Sequence, residues 1–340
     1  MSDADARSPE EQATGLTELA RTAGNHWGFG PETTFELFKH RENAVFLVTD
    51  GGDRYALRVH RPGYHSDAEL ESELAWIAAL RDDGFRTPRV IPASDGRMMV
   101  RVAAPPVPEP RQVDVLEWFD GSPLGAAETE ALTDTDDVIA TFGVIGELMA
   151  TTHNHGESWR RPSSFTRHAW DADGLLGGEP FWWPYWQLEL LTDDQRTLLE
   201  RMKSRALADL ADFGQGPDRY GLIHADFLPD NLLRGDDGIC LIDFDDAGFG
   251  WHLFDVATSL FPSLLEDWFD DAQAALIEGY RRRRALPDDH LERLPLFFIL
   301  RGTTYLGWAH TRRETETAEI VGALVAAGMD DLITDYLESS

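Results

Sequence analysis

The chain has 340 residues, enough for two packed lobes or one large domain, and its 42% hydrophobic content, with 11 Trp and 18 Phe, supports a sizeable core. Acidic residues outnumber basic ones 61 to 30, giving a formal charge of -31, and only Lys39 and Lys203 are lysines. Nucleic-acid binding needs a basic face, so this balance argues against such a partner. The acidic start "MSDADARSPEEQ" lacks the apolar core of a signal peptide, and no run approaches the roughly 18 apolar residues of a membrane span, so a cytoplasmic protein with no membrane partner is expected.

Residues 1–30 read as a partly flexible or helical extension. "TTFELFKH" and "NAVFLVTDGGDRYALRVH" then alternate apolar and polar residues around "DGGD", which predicts three antiparallel strands joined by the turns "HREN" and "DGGD". From Ser66 to Asp82 the spacing becomes helical, with Leu70, Leu74, Ile77 and Leu80 on one face and a Ser66/Glu69 capping box at the start. "RMMVRV" and "DVLEWF" predict two further strands, and "VLEWFDG" a connector near Glu117.

Beyond it, "DDVIATFGVIGELMATTHNH", "DDQRTLLERMKSRALADLADF", "DDAQAALIEGYRRRR" and "HLERLPLFFILRGTTYLGWAH" have helical periodicity. The fold class expected is therefore α+β: a small antiparallel β-rich N-lobe with one helix, residues 1–117, and a larger, mainly helical C-lobe, residues 118–340. Arg281 to Arg284 end a predicted helix, where cations meet the macrodipole favourably, and read as a solvated helix end. The sole cysteine, Cys240, lies in the apolar run "GICLIDF" and reads as a buried strand residue.

The chemistry concentrates in "GLIHADFLPDNLLRGDDGICLIDFDD", from Gly221 to Asp246. Two short apolar runs each end in a carboxylate, Asp226 and Asp243, with Asn231 between them. A phosphoryl transferase must neutralise triphosphate charge, orient a hydroxyl and accept its proton. Mg²⁺ prefers hard oxygen ligands, usually one or two carboxylates plus phosphate and water oxygens. Asp226 suits the hydroxyl, and Asn231 and Asp243 suit the metal.

"HADFLPDN", "LIDFDDAG" and "FDVA" resemble the catalytic loop, metal-binding segment and following Asp motif of the aminoglycoside phosphotransferase and choline kinase superfamily. These are protein-kinase-like small-molecule kinases that include homoserine-kinase-like members, and the resemblance covers roughly residues 30 to 312. It implies a bilobal protein-kinase-like fold, ATP and Mg²⁺ as cofactors, and a small-molecule hydroxyl acceptor such as an aminoglycoside, an amino alcohol or a homoserine-like compound.

Residue by residue, the resemblance makes Asp226 the catalytic carboxylate, His224 a residue fixing its loop, Asn231 and Asp243 metal ligands, and Asp245 an auxiliary metal or water contact. Asp255 would accept hydrogen bonds from the catalytic-loop backbone. The family's nucleotide lysine falls on Arg58, with Glu73 as its helix partner; arginine also pairs bidentately with carboxylates but is bulkier than an ammonium. The turn around Asn43 and Ala44 would cover the phosphates, and the main chain from Glu117 to Phe119 would contact adenine.

Candidates for the acceptor are Arg167, Trp170 and Trp183 in "FTRHAWDADGLLGGEPFWWPYW", and Arg301, Tyr305 and Trp308 at helical spacing. For each aromatic the alternative is a packed core. His153 and His155 have a suggestive spacing for metal but no supporting Cys or carboxylate triad. Two rival functions remain: a bacterial Ser/Thr protein kinase of the same superfamily, although no Ala-Pro-Glu follows Asp243, and a nucleotide-binding pseudokinase, motivated by Arg58.

An acidic, lysine-poor surface suits a salt-rich solution, where screening relieves self-repulsion. We expect the thermal unfolding midpoint to rise from low to molar KCl; a flat response would contradict this reading.

Overall fold

The computed structural model describes residues 8–40, 43–124, 135–236, 238–312 and 316–339. In chain order these hold α1 (Pro9–Gly24), β1 (Thr34–His40), β2 (Ala44–Asp50), β3 (Asp53–Val59), α2 (Asp67–Asp82), β4 (Met99–Val102), β5 (Arg111–Glu117), the two-residue β6 (Ser122–Pro123), α3 (Thr135–Ser158), β7 (Ala169–Trp170) and α4 (Ala172–Leu176). There follow α5 (Asp193–Phe213), β8 (Tyr220–Ile223), β9 (Leu232–Gly235), β10 (Gly238–Leu241), β11 (Gly248–Trp251), α6 (His252–Leu260), α7 (Phe269–Arg281), α8 (Asp288–Leu291), α9 (Leu294–Thr311) and α10 (Glu316–Glu338). The chain divides into two compact units. The first comprises the described parts of Met1–Ser122, Arg161–Thr166 and Leu233–Asp245, the second those of Pro123–Arg160, Arg167–Leu232 and Asp246–Ser340.

In the first unit a 5-stranded sheet runs in the order β1-β2-β3-β5-β4, with every neighbouring pair antiparallel. Its β2–β3 hairpin turns through Gly51 and Gly52, both at positive φ (58° and 104°), the backbone that a tight two-residue connection requires and that glycine adopts without Cβ strain. Of the turn "HREN" on the other side of β2, residues 41–42 lie outside the described residues. Alternation places Phe46, Val48, Leu57, Val59, Val113 and Val115 in one buried cluster with Leu16, Leu19, Ala20 and Ala23 of α1. Within the N-terminal extension, α1 is a capped helix, with reciprocal Ser8 and Glu11 bonds, that covers one sheet face. Because side chains alternate, Arg58 and Asp114 point away from that cluster and stand opposite each other in the β3–β5 register. The Ser66/Glu69 capping box starts α2 as the spacing predicts.

In the second unit α3 and α7 cross where neither backbone carries a side chain. A Cβ on Gly146 would lie 2.0 Å from the Leu276 carbonyl oxygen, and one on Gly279 1.9 Å from that of Gly143. Helix α6 is buried along its whole length, and α9 buries Leu296, Phe297, Ile299, Leu300 and Leu306. A 3-stranded sheet in the order β7-β11-β8 ends in the strand that leads to Asp226. The arginines that end α7 are not merely solvated: Arg283 donates to Glu147 at 2.7 Å, and Arg284 donates to Glu157 at 2.6 Å and Asn154 at 2.8 Å, tying α7 to α3. Among the described residues no helix is long and apolar enough to cross a membrane.

Gly146→Ala should lower the unfolding free energy by about 1–3 kcal/mol, because rigid backbone must move to admit the methyl group. Gly178→Ala, where nothing lies within 4 Å of the added Cβ, should be close to neutral in the same urea titration.

Candidate active site

The first unit gathers the residues expected around the nucleotide. Arg58 donates from Nε and Nη2 to the two oxygens of Asp114, each at 2.8 Å, and from Nη1 to Glu73 at 2.8 Å. All three side chains are buried. Burial disfavours the Arg58 cation, but Asp114 and Glu73 hold its pKa well above the ordinary value. Burial likewise opposes ionisation of Asp114, yet Arg58 and His60, whose Nε2 lies 2.7 Å from Oδ2, keep that carboxyl well below the usual range. The result is a rigid three-point anchor for the guanidinium.

Asp243 follows β10 and is exposed. Its φ of 63° is a conformation that non-glycine residues seldom adopt. The next residue, Phe244, is buried and meets Trp76 of α2 edge-on at 5.5 Å, which fixes the strand end. Asp245 is buried, and although burial opposes its charge, His65, His60, Arg61 and Arg58 lower its pKa. The His65 ring lies 2.7 Å from its carbonyl oxygen. Asp245 is thus held among two arginines and two histidines, while Asp243 is exposed. Asn43 accepts a hydrogen bond from the Arg61 main-chain N–H at 3.0 Å. In the expected adenine segment, the N–H groups of Glu117 and Trp118 already donate to Arg89 and Arg54 carbonyls, at 2.8 and 3.1 Å. The half-buried Phe119 follows them.

The second unit holds the loop of Asp226, expected from its motif to be catalytic. Ala225, immediately before Asp226, has φ 62°. The fully buried Asp255 takes the N–H groups of His224 and Ala225 on its two oxygens, at 3.0 and 2.7 Å. His224 therefore bonds Asp255 through its main chain, while its imidazole packs on Phe227 at 5.5 Å. His153 adds a third donor: its Nε2 lies 3.0 Å from Asp255 Oδ2, and its Nδ1 lies 2.9 Å from the Tyr280 hydroxyl. Burial, with Arg284, depresses the His153 pKa well below its usual value, so the ring is neutral. The tautomer that satisfies both contacts donates from Nε2 to Asp255 and accepts from Tyr280 at Nδ1. Burial raises Asp255 to about 6 against the opposing pull of His224 and the main-chain donors.

Asp226 itself is fixed on both oxygens. Asn231 Nδ2 donates to Oδ2 at 2.8 Å and to the Asp226 carbonyl at 2.9 Å; Arg301 Nη2 donates to Oδ1 at 2.9 Å. Because the Asn231 amide nitrogen is turned to Asp226, its carbonyl oxygen points elsewhere, as a hard ligand for a cation requires. Burial opposes the charge on Arg301, but Tyr305 and Asp226 raise its pKa above the ordinary value.

The acceptor candidates separate by environment. Trp170 is fully buried, stacked on Phe254 at 5.5 Å and donating from Nε1 to the Asp246 carbonyl at 2.8 Å. Arg167 is buried and donates to the Ala247 carbonyl. Trp183, by contrast, is 44% exposed, has φ 101° and stacks on His310 at 5.3 Å. Tyr305 and Trp308 are half-buried.

Sequence reasoning missed Asp114, His60 and the role of His153. The signal for Asp114 was a carboxylate inside "QVDVLE", alternating with buried valines and therefore facing the same side as Arg58. For His153 it was a histidine on the buried face of a helix, which calls for a hydrogen-bond partner more often than a metal.

A model described as the phosphotransferase enzyme family matches residues 34–297. The solved structure of a microcompartment-associated aminopropanol kinase is 36% identical, covers 94% of this chain and 97% of its own, and superposes with a TM-score of 0.83. Amicoumacin kinase of Bacillus subtilis is 22% identical over 88% of this chain and 86% of its own length. Homoserine kinase of Rhizobium meliloti is 25% identical over 75% and 72% respectively. The fold is α+β and protein-kinase-like, as the motifs implied.

Asp114→Asn should destabilise the protein by about 3–5 kcal/mol in urea titrations, since it strips a buried guanidinium of its bidentate partner. Asp255 has the opposite pH signature to Asp114. Its folded pKa of about 6 exceeds the roughly 3.9 of an unfolded Asp, so the native state takes up the proton first as pH falls. Wild type should therefore gain stability relative to Asp255→Asn between about pH 7 and 4.5. The contribution of Asp114, whose pKa is depressed, persists through that window and is lost only at lower pH. A constant difference between wild type and Asp255→Asn would contradict the assignment.

Proposed function

The chain belongs to the phosphotransferase enzyme family, and on that premise we propose that it transfers the γ-phosphoryl group of ATP, with Mg²⁺, to the hydroxyl of a small amine-bearing alcohol. The observation that carries this reading is the aimed carboxylate of Asp226, pinned through both oxygens and preceded by a left-handed residue whose N–H is held by Asp255. Each Asp226 oxygen keeps a lone pair beyond the hydrogen bond it accepts. In the proposed step the acceptor O–H gives its proton to Asp226, the acceptor oxygen bonds to phosphorus, and the bond from phosphorus to the ADP oxygen breaks.

Asn231, through its carbonyl oxygen, and Asp243 would hold the metal. When bound, Mg²⁺ supplies charge neutralisation on the phosphates. Arg58 spends Nε, one Nη1 hydrogen and one Nη2 hydrogen on Asp114 and Glu73, which leaves one N–H on each terminal nitrogen for phosphate oxygens. Its anchoring by two carboxylates is what lets it stand where the family has lysine. The likeness to an aminopropanol kinase, together with the homoserine kinase relative, supports an acceptor carrying an amine near its hydroxyl.

The test is acceptor-dependent ADP formation with MgATP and 1-amino-2-propanol, ethanolamine, homoserine and kanamycin, with the phosphorylated product identified by mass spectrometry. Turnover of at least one amino alcohol is expected, and none with any acceptor would defeat the proposal. Asp226→Asn should lower kcat by about 100-fold or more while AMP-PNP still binds. Asp243→Asn should remove the Mg²⁺ dependence of AMP-PNP binding measured by calorimetry.

A further inference from the structure

The loop that carries Asp226, "GLIHADFLPDNLL" from Gly221 to Leu233, contains no lysine or arginine. Its cation comes instead from α9. The Arg301 side chain is 1% exposed. Its guanidinium donates from Nη1 to the Ala225 carbonyl at 3.2 Å, and from Nη2 to Asp226 Oδ1 at 2.9 Å and the Tyr305 hydroxyl at 3.2 Å. The ring of Tyr305, 4.5 Å from the guanidinium carbon, and that of Trp182, at 5.4 Å, flank it.

One planar group therefore holds both the peptide entering Asp226 and the carboxylate leaving its main chain. The N–H of Ala225 is taken by Asp255 and its carbonyl by Arg301, so the left-handed residue is gripped on both sides. Arg301 occupies Oδ1 and Asn231 occupies Oδ2, so the carboxylate plane cannot rotate without breaking a charge-assisted bond. Two of the three hydrogen bonds of this deeply buried group go to the loop and the third to Tyr305, so its terminal nitrogens are turned to Asp226 and its peptide.

We propose that Arg301 is a positioning residue for phosphoryl transfer, locking the Asp226 carboxylate and its left-handed peptide in the orientation that receives the hydroxyl proton. This rests on the reading of Asp226 given above. The expected consequence is a loss confined to the chemical step, because a displacement of about 1 Å in a reacting group is enough to cost on the order of 100-fold in rate.

The experiment compares Arg301→Met, Arg301→Lys, Tyr305→Phe and Asp226→Asn with wild type, using MgATP and the amino alcohol that wild type turns over best. AMP-PNP titration and thermal melting accompany the kinetics. Arg301→Met should lower kcat by about 100-fold with KM for ATP within about threefold. Arg301→Lys, which restores charge without the fork, should recover about tenfold of that loss. Tyr305→Phe removes one of the three acceptors of the guanidinium but leaves those on Ala225 and Asp226, so its loss in kcat should be smaller than that of Arg301→Met.

The inference is overturned if Arg301→Met keeps wild-type kcat, if its loss lies wholly in KM for the acceptor, or if the Lys variant is as impaired as the Met variant. It is also overturned if both Arg301 variants lose cooperative melting, which would make the role one of folding. Should Asp226→Asn itself retain turnover, the functional reading fails. If Asp226→Asn is inactive and Arg301→Met is not, only the role of Arg301 fails.

Discussion

Ala225 can hold a left-handed backbone because Asp255 takes its N–H and that of His224, and much of the second unit is arranged to make Asp255 possible. A carboxylate with no exposed surface must be surrounded by donors. The main chain supplies two, and His153 of α3 supplies the third. His153 can donate there because Tyr280 of α7 donates to its other nitrogen. The glycine-mediated crossing of α3 and α7 brings these two helices close enough for that relay. Backbone strain at the loop is thus supported by an interhelical packing contact well away in sequence.

The first unit solves a similar problem with opposite charge. Arg58 sits on the sheet face away from α1, and it is stable there because β5 places Asp114 directly opposite and α2 brings Glu73 to the remaining side. Buried ion pairs of this kind do little for net stability compared with apolar packing, but losing one partner is severe. Both units therefore set an arginine against an aspartate where geometry matters, as a two-point fork at Asp114 and as a single bond, paired with one to the Ala225 carbonyl, at Asp226. In a chain with 30 basic residues, of which Lys39 and Lys203 alone are lysines, both of these cations are arginine, whose planar group can bond two acceptors at once.

What the sequence made legible was local. Asp226, Asn231 and Asp243 stand out because their spacing along one stretch is itself the signal, and the Ser66/Glu69 cap and the "DGGD" turn, which the structure contains, are local in the same way. Asp114 and His153 were not assigned their roles, because their partners lie 56 and 102 positions away and nothing in a periodicity plot connects them. Trp170 and Trp183 lie in one aromatic segment and read alike, yet one is core and the other 44% exposed. Aromatic content alone does not separate packing from recognition.

The close packing of α9 also determines where this protein can change. Gly302 admits no side chain without striking Met329, a Cβ on Gly307 would meet the backbone of Trp182 and Trp183 at 2.8 and 2.9 Å, and Arg301 is bonded to Ala225 and Asp226. The half-buried Tyr305 and Trp308 are under less steric constraint. Substitution therefore meets least backbone resistance at those two positions, and the helix beneath them is the part least free to vary.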